Sequence, residues 1–345
     1  MPTTRDRVDV LTLENPESEL YPTWQMCEEL PENSRLSNAV MIFCATNKGR
    51  GMRVLILGVA GMLGHKLYQQ FAPRYEVYAT ARSNPSIYRR FGLFDTDRII
   101  GGVDADNFDT VIGAVAQVKP DVIINCIGII KQLKTAKNPI ISIKINSLFP
   151  HQLAQLSQAS DSRLIHISTD CVFNGRGSMY SEDMPANAED LYGRSKHLGE
   201  VDAPGALTLR TSIIGRELST ASGLVEWFLS NRGQKGAVRG FSNAIYTGFT
   251  TLEMAKIIST LLDDHPDLSG LYQVSSDPIN KYELLKLVNT AFDATIEIEA
   301  DESVKIDRSL DSSRFRQATG YTPPAWQTMI QTMADDTTPY DEWKT

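Results

Sequence analysis

A tyrosine and a lysine one helical turn apart, in Tyr192-Gly-Arg-Ser-Lys196, are the residues of this sequence best suited to chemistry. Residues at i and i+4 share a helix face. An ammonium near a phenol favours the phenolate, so Lys196 is expected to lower the pKa of Tyr192 towards working pH. A tyrosine so placed can pass a proton to a carbonyl oxygen as hydride reaches the carbon. Any one such pair is common by chance. This one is distinguished by Ser168-Thr-Asp170 upstream, at the end of an apolar run, where a hydroxyl can hold a carbonyl against the tyrosine. Thr169, Tyr192 and Lys196 are the expected catalytic set, with Ser168 the alternative to Thr169.

Hydride chemistry needs a carrier, and Gly58-Val-Ala-Gly61-Met-Leu-Gly64 offers a place for one. Three glycines between a strand pattern and a helix pattern permit a tight turn, close approach of backbone to a pyrophosphate, and close helix-on-strand packing. The helix N-terminus then turns its unpaired N–H groups and positive dipole end towards the phosphates. An acid at the end of the second strand would select NAD by binding the ribose hydroxyls. The sequence there is Ala79-Thr-Ala-Arg82-Ser83. Arg82 can pair with a 2′-phosphate, so NADPH is the preferred cofactor, with NADH open. Lys196 can also reach the nicotinamide ribose.

These groups must be carried by a scaffold that the sequence pattern outlines. Apolar runs at Val54–Leu57, Glu76–Thr80, Asp121–Asn125, Arg163–Ser168 and Leu207–Arg210 predict strands. Helical patterns at Leu63–Phe71, Phe108–Val118, Ile140–Gln158 and Tyr192–Glu200 lie between them. Continuous apolar strands separated by helices predict a parallel sheet covered on both faces. The fold class is thus α/β, a Rossmann-like doubly wound sheet over residues 52–215. A smaller C-terminal α/β substrate lobe is expected mainly from residues 216–345. There Leu252, Met254, Ile257, Ile258, Leu261 and Leu262 mark an amphipathic helix, and Leu271–Val274 and Thr295–Glu299 read as short strands. Residues 1–51 are polar and aperiodic, and little ordered structure is expected of them.

Composition narrows the function further. A net charge of −8 argues against a nucleic-acid partner, which needs a broad basic surface. No apolar run approaches the ~18 residues that cross a bilayer. The run Ala39–Ala45 lacks a basic leader and is a poor signal peptide, so a cytoplasmic location is expected. Cys27, Cys44, Cys126 and Cys171 show no metal-ligand spacing, and neither a metal site nor a disulfide framework is expected.

From Met52 to about Met333 the chain resembles the dTDP-4-dehydrorhamnose reductase family of extended short-chain dehydrogenases. The resemblance is carried by Gly58–Gly64, Asp121-Val-Ile-Ile-Asn-Cys-Ile-Gly128, Ile167-Ser-Thr-Asp-Cys-Val-Phe-Asn-Gly175, Tyr192–Lys196 with Gly199-Glu200, Leu209-Arg-Thr-Ser212 and Arg308-Ser-Leu-Asp-Ser-Ser-Arg314. The glycine and Tyr/Lys motifs belong to the whole superfamily; the third and last stretches are specific to this branch. The resemblance implies reduction of a 4-keto nucleotide sugar, with Met62, Leu63, Asp104, Ala105, Cys126, Ile127 and Gly128 lining the cofactor. It also implies that Thr169 and Asp170 touch the sugar. Arg210, Arg216, Arg239, Arg308 and Arg314 are candidates for the substrate diphosphate, and Arg308 and Arg314 are favoured because they flank the last motif.

Three departures bear on substrate identity. Cys171 stands where the family has an aromatic residue, Ile213 where it has a tryptophan against the sugar nucleotide, and Asn243–Thr250 replaces its Gly-x-Pro-Thr turn. Losing the ring at Ile213 removes a stacking surface worth on the order of 1 kcal/mol. A cysteine after the catalytic hydroxyl also occurs in GDP-fucose synthase, where it works with a histidine in epimerisation. No histidine lies in the corresponding region Asn231–Gly236, so a small buried thiol is the preferred reading of Cys171. The alternatives are an epimerase and a non-catalytic subunit resembling the regulatory β subunit of methionine adenosyltransferase. A homodimer stays open.

Overall fold

Val54, Leu55, Ile56 and Leu57 are completely buried and alternate between two cores on opposite faces of one sheet. A strand apolar on both sides belongs at the centre of a doubly covered parallel sheet, and that is where this one lies. The computed structural model describes residues 51–344. The expectation for residues 1–51 therefore lies, except for Gly51, outside the described residues, as do Cys27, Cys44 and the run Ala39–Ala45.

The sheet holds β1 (Arg53–Leu57), β2 (Glu76–Thr80), β3 (Ile99–Ile100), β4 (Val122–Asn125), β5 (Arg163–Thr169) and β6 (Ala206–Thr211). Four short strands follow: β7 (Ile213–Ile214), β8 (Val238–Phe241), β9 (Ala244–Tyr246) and β10 (Phe249–Thr250). Then come β11 (Gly270–Gln273), β12 (Ile279–Asn280), β13 (Ile298–Asp301) and β14 (Ile306–Asp307). The main sheet has the order β11-β6-β5-β4-β1-β2-β3, with every pairing parallel. Strand order reverses between β1 and β4, the switch point at which open α/β sheets bind ligands beyond the strands' carboxyl ends. The register places Leu57 beside Thr80 and Asn125, and Thr169 beside Thr211, so these strand ends form one rim.

Helices Met62–Phe71, Thr251–Asp263 and Trp326–Ala334 cover one face, and Phe108–Val118 and Phe149–Ala159 the other. The amphipathic pattern around Leu252–Leu262 is thus a helix, but it packs on the main sheet. The run read as Leu271–Val274 likewise becomes β11, the edge strand beside β6, because its apolar residues complete that core. The main sheet therefore takes one strand from beyond residue 215. The small strands join as β7 with β10, β8 with β13, and β9 between β12 and β14. The single helix expected over Ile140–Gln158 is interrupted by a π-helical turn, Ile143–Leu148.

Candidate active site

The glycine turn follows β1 directly. Gly58 has φ +87°, and a Cβ there would stand 2.9 Å from Ile127 Cγ1. A Cβ on Gly64 would overlap the carbonyl oxygen of Gly58, so the helix Met62–Phe71 packs on the turn at a distance only glycine allows. Its N-cap is Gly61, no side chain caps it, and its first turn holds no acid. Its leading amides and positive dipole end therefore favour an anion from outside, as a dinucleotide pyrophosphate would be. Met62 and Leu63 supply that first turn, and Cys126, Ile127 and Gly128 continue β4 opposite it. Thr80 Oγ1 accepts from Gly58 N (3.3 Å), tying the end of β2 to the turn. Arg82, two residues on, is exposed. Ala105 is buried, while the Asp104 carboxylate accepts from Asp106 N (3.0 Å) and caps its own turn.

Tyr192 and Lys196 both descend onto the end of β5. Their helix, Leu191–Leu198, starts at Asp190, whose carboxylate accepts from Gly193 N (2.8 Å). Lys196 is buried, and its Nζ donates to Ile167 O (2.7 Å). Burial pushes its ammonium down to about 8, opposed by the charge of Glu200. Burial pushes the Tyr192 phenol above its ordinary 10.0; Cys171 adds to the rise, and a hydrogen bond with the Thr169 side chain pulls it back. The expectation that Lys196 makes Tyr192 acidic is corrected here. The ammonium is engaged by a carbonyl, and desolvation dominates at the phenol. At neutral pH Tyr192 is protonated, the state a proton donor needs.

Thr169 Oγ1 donates to Asp170 Oδ1 (3.2 Å) and accepts from Cys171 N (3.1 Å), which fixes its rotamer at the mouth of the sheet. Burial, with the neighbouring Asp170 charge, pushes the Cys171 thiol up to about 12. It is therefore a neutral thiol, unsuited to proton abstraction, and this favours the reading of a space-filling residue. Ser168, the alternative hydroxyl, donates to Glu200 Oε1 (2.7 Å) and is engaged away from the site.

The arginines separate by partner. Arg210 is buried in a two-pronged pair with Glu200, Nε–Oε1 and Nη2–Oε2 each at 2.7 Å. Arg216 pairs with Glu226 and Asp341, and Arg239 with Asp301. Arg314 lies 4.8 Å over the ring of Tyr272 in β11 and so holds its helix to the sheet edge. Each of these four thus has a partner of its own within the protein. Arg308 is different. Its Nε donates to Phe173 O (2.8 Å), setting the side chain along a cavity of about 300 Å³ lined with Asn174, Glu189 and Asp190. Asp190 and Glu189 are themselves paired with Lys131 and Arg176. Ile213 is half-buried and pairs with Phe249.

Residues 52–338 match the sequence profile of the RmlD substrate binding domain family. The chain belongs to that family. Among relatives, it is 28% identical over 254 residues to methionine adenosyltransferase 2 subunit beta of Danio rerio, covering 70% of this chain and 74% of that one. It is 24% identical over 310 residues to dTDP-4-dehydrorhamnose reductase of Aggregatibacter actinomycetemcomitans, covering 81% and 97%. In fold it is similar to the dTDP-4-dehydrorhamnose reductase of Bacillus anthracis str. Ames, solved in complex with NADP. That likeness has TM-score 0.69 and 21% identity, covering 84% of this chain and 100% of that one. Within the matched residues, the glycine turn, Thr169 and the Tyr192/Lys196 pair all lie towards the carboxyl ends of the parallel strands.

Asn146 is the site residue that sequence reasoning missed. Within the π-helical turn it accepts from Ile129 N (2.8 Å) and donates to Ile129 O (3.1 Å) and Ser195 Oγ (3.2 Å). It thereby locks the loop after β4 to the helix of Tyr192. A π-turn inserts one residue into the helical repeat and is frequent at functional sites, but a 3.6-residue apolar period gives no sign of it. Among the described residues, no group of three or more His, Cys, Asp or Glu side chains could hold a metal. No helix there is long and apolar enough to cross a membrane.

Proposed function

We propose that this chain is an NADPH-dependent reductase of a 4-keto nucleotide sugar, similar in reaction to dTDP-4-dehydrorhamnose reductase. The observation that supports this reading best is the meeting of Tyr192 and Lys196 with Thr169 at the carboxyl end of β5. NADPH, held at the glycine turn, would supply hydride for the ketone carbon. Tyr192 gives its phenolic proton to the ketone oxygen, and Thr169 holds that oxygen by its hydroxyl. Lys196 neutralises the charge that develops on Tyr192 and binds the ribose. Arg308 receives the diphosphate, since guanidinium pairs with phosphate in a planar fork. In this reading residues 52–215 bind cofactor, residues 216–345 mainly bind substrate, and the enzyme works in the cytoplasm. Purified protein mixed with NADPH and dTDP-4-dehydrorhamnose is expected to consume the reduced nicotinamide absorbance. A second reading, a non-catalytic regulatory subunit, is favoured by the similarity to methionine adenosyltransferase 2 subunit beta. Absence of oxidation with any 4-keto nucleotide sugar would select it.

Arg82 is the basis for preferring NADPH. Arg82→Ala is expected to raise KM for NADPH about tenfold, the worth of one charge-assisted contact, while KM for NADH stays unchanged. Equal effects on both cofactors would remove Arg82 from the 2′-phosphate site.

A homodimer is the assembly we infer, because Ile140 (76% exposed), Ile143 and Leu148 recur along one helical face. Leu198 (62% exposed) continues it, joined by His151 Nε2 at 2.8 Å from the Leu198 carbonyl. Contiguous exposed apolar side chains of this kind mark an interaction face. Sedimentation velocity is expected to show a dimer that Leu148→Glu with Leu198→Glu converts to monomer.

A further inference from the structure

Tyr246 ends β9 with its side chain buried (8% exposed), and its hydroxyl has no hydrogen-bond partner within the protein. Leaving a buried hydroxyl unpaired costs about 1–3 kcal/mol. Phenylalanine would fill the same volume without that cost. The hydroxyl also needs a local concession: a Cβ on Gly248 would overlap it and the Ser212 carbonyl oxygen. Ser212 immediately follows Thr211, which pairs with Thr169 across β5 and β6. Its carbonyl is already taken by Phe249 N at 2.9 Å. The phenol therefore stands near the carboxyl end of β6, the neighbour of the strand β5 that delivers Thr169 and Asp170. The Tyr246 ring packs against that of Trp326, with centroids 5.6 Å apart. Asp170 and Cys171 lie near enough to act on the phenol electrostatically, and burial together with those neighbours keeps it protonated.

We propose that Tyr246 is a substrate-specificity residue whose hydroxyl, together with the Asp170 carboxylate, grips a sugar hydroxyl on the carbon beside the reacting ketone. The ketone oxygen is held by Thr169 and Tyr192 in the reading above, on which this inference rests. Asp170 adjoins Thr169 in the chain and accepts from its hydroxyl, so the polar group within its reach is the one neighbouring the ketone. Tyr246 donates and Asp170 accepts, the complement of a hydroxyl that can do both. A site built this way rejects a sugar lacking that hydroxyl, because the phenol and carboxylate are then left without a partner.

The test compares wild type with Tyr246→Phe on dTDP-4-dehydrorhamnose and on its analogue lacking the hydroxyl beside the ketone. With the hydroxylated substrate, KM of the variant is expected to rise about tenfold with kcat nearly unchanged. With the deoxy analogue, wild type and variant are expected to be equal. NADPH affinity by fluorescence is expected to be the same for both proteins, and Tm of the protein alone equal or higher in the variant. Unchanged KM on the hydroxylated substrate, or an equal loss on the analogue, would overturn the proposal. So would a fall in Tm, which would mean the hydroxyl is bonded within the protein. If wild type oxidises NADPH with neither sugar, the reductase reading itself has failed and this inference goes with it.

Discussion

Tyr192→Phe is expected to lower kcat by about 10²–10⁴-fold, the range that a positioned proton donor contributes. The substitution removes one oxygen and keeps the ring, so the helix start at Asp190 and the contact of Lys196 with Ile167 persist. NADPH affinity, followed by fluorescence, is expected to stay near the wild-type value. Burial raises the Tyr192 phenol, so proton donation is not the group that fails as pH rises into the weakly alkaline range. The lysine, pushed down to about 8, is. The rate of wild-type reduction is therefore expected to fall above about pH 8, as Lys196 loses its proton and with it the charge that stabilises the departing phenolate. A variant that keeps wild-type kcat would take Tyr192 out of the mechanism.

The sheet was legible because its strands carry a strong signal: Val54–Leu57 or Leu164–Ile165, apolar on both faces, fit few settings other than a covered parallel sheet. The dinucleotide turn was legible for a similar reason, since glycine at positions 58 and 64 serves backbone approach that no larger residue permits. Spacing alone placed Tyr192 and Lys196 on one helix, and the structure brings that helix to Thr169. Spacing could not say what surrounds the pair. Ile167 O captures the ammonium and desolvation governs the phenol, and both depend on residues distant in sequence. The arginines could not be ranked from the sequence for the same reason. A charge in a sequence shows no partner, and only the folded chain reveals that Arg210 faces Glu200 while Arg308 borders a cavity. Tyr246 lay inside a segment marked as unlike the family, but its unpaired hydroxyl is a property of packing.

Glu200→Gln is expected to destabilise the protein by about 3–5 kcal/mol, because it leaves the Arg210 guanidinium buried without its counter-charge. Both side chains are only 5% exposed, so solvent cannot take over the lost partner. In a domain of this size the loss corresponds to a fall in Tm on the order of 10 °C. Burial alone would push the Glu200 carboxyl up, but the hydrogen bonds and charge of Arg210, with His197 and Ser168, outweigh it and hold the group below its ordinary 4.5. A carboxyl depressed in the folded state contributes stability that is present above the unfolded value and lost as pH falls through the folded one. Wild type is therefore expected to lose stability below about pH 4.5, and the variant to show a flatter acid limb in thermal melts. Replacing both partners with apolar residues, Glu200→Leu with Arg210→Met, is expected to recover much of the stability, since an uncompensated charge costs more than an absent pair. The double variant also separates structure from chemistry. Glu200 raises the Lys196 ammonium against burial, so without it Lys196 loses its proton at lower pH. The alkaline fall in kcat is then expected to begin closer to neutrality even where Tm has been recovered. An unshifted alkaline limb in the refolded, stable double variant would show that Glu200 serves only the Arg210 pair and not the lysine.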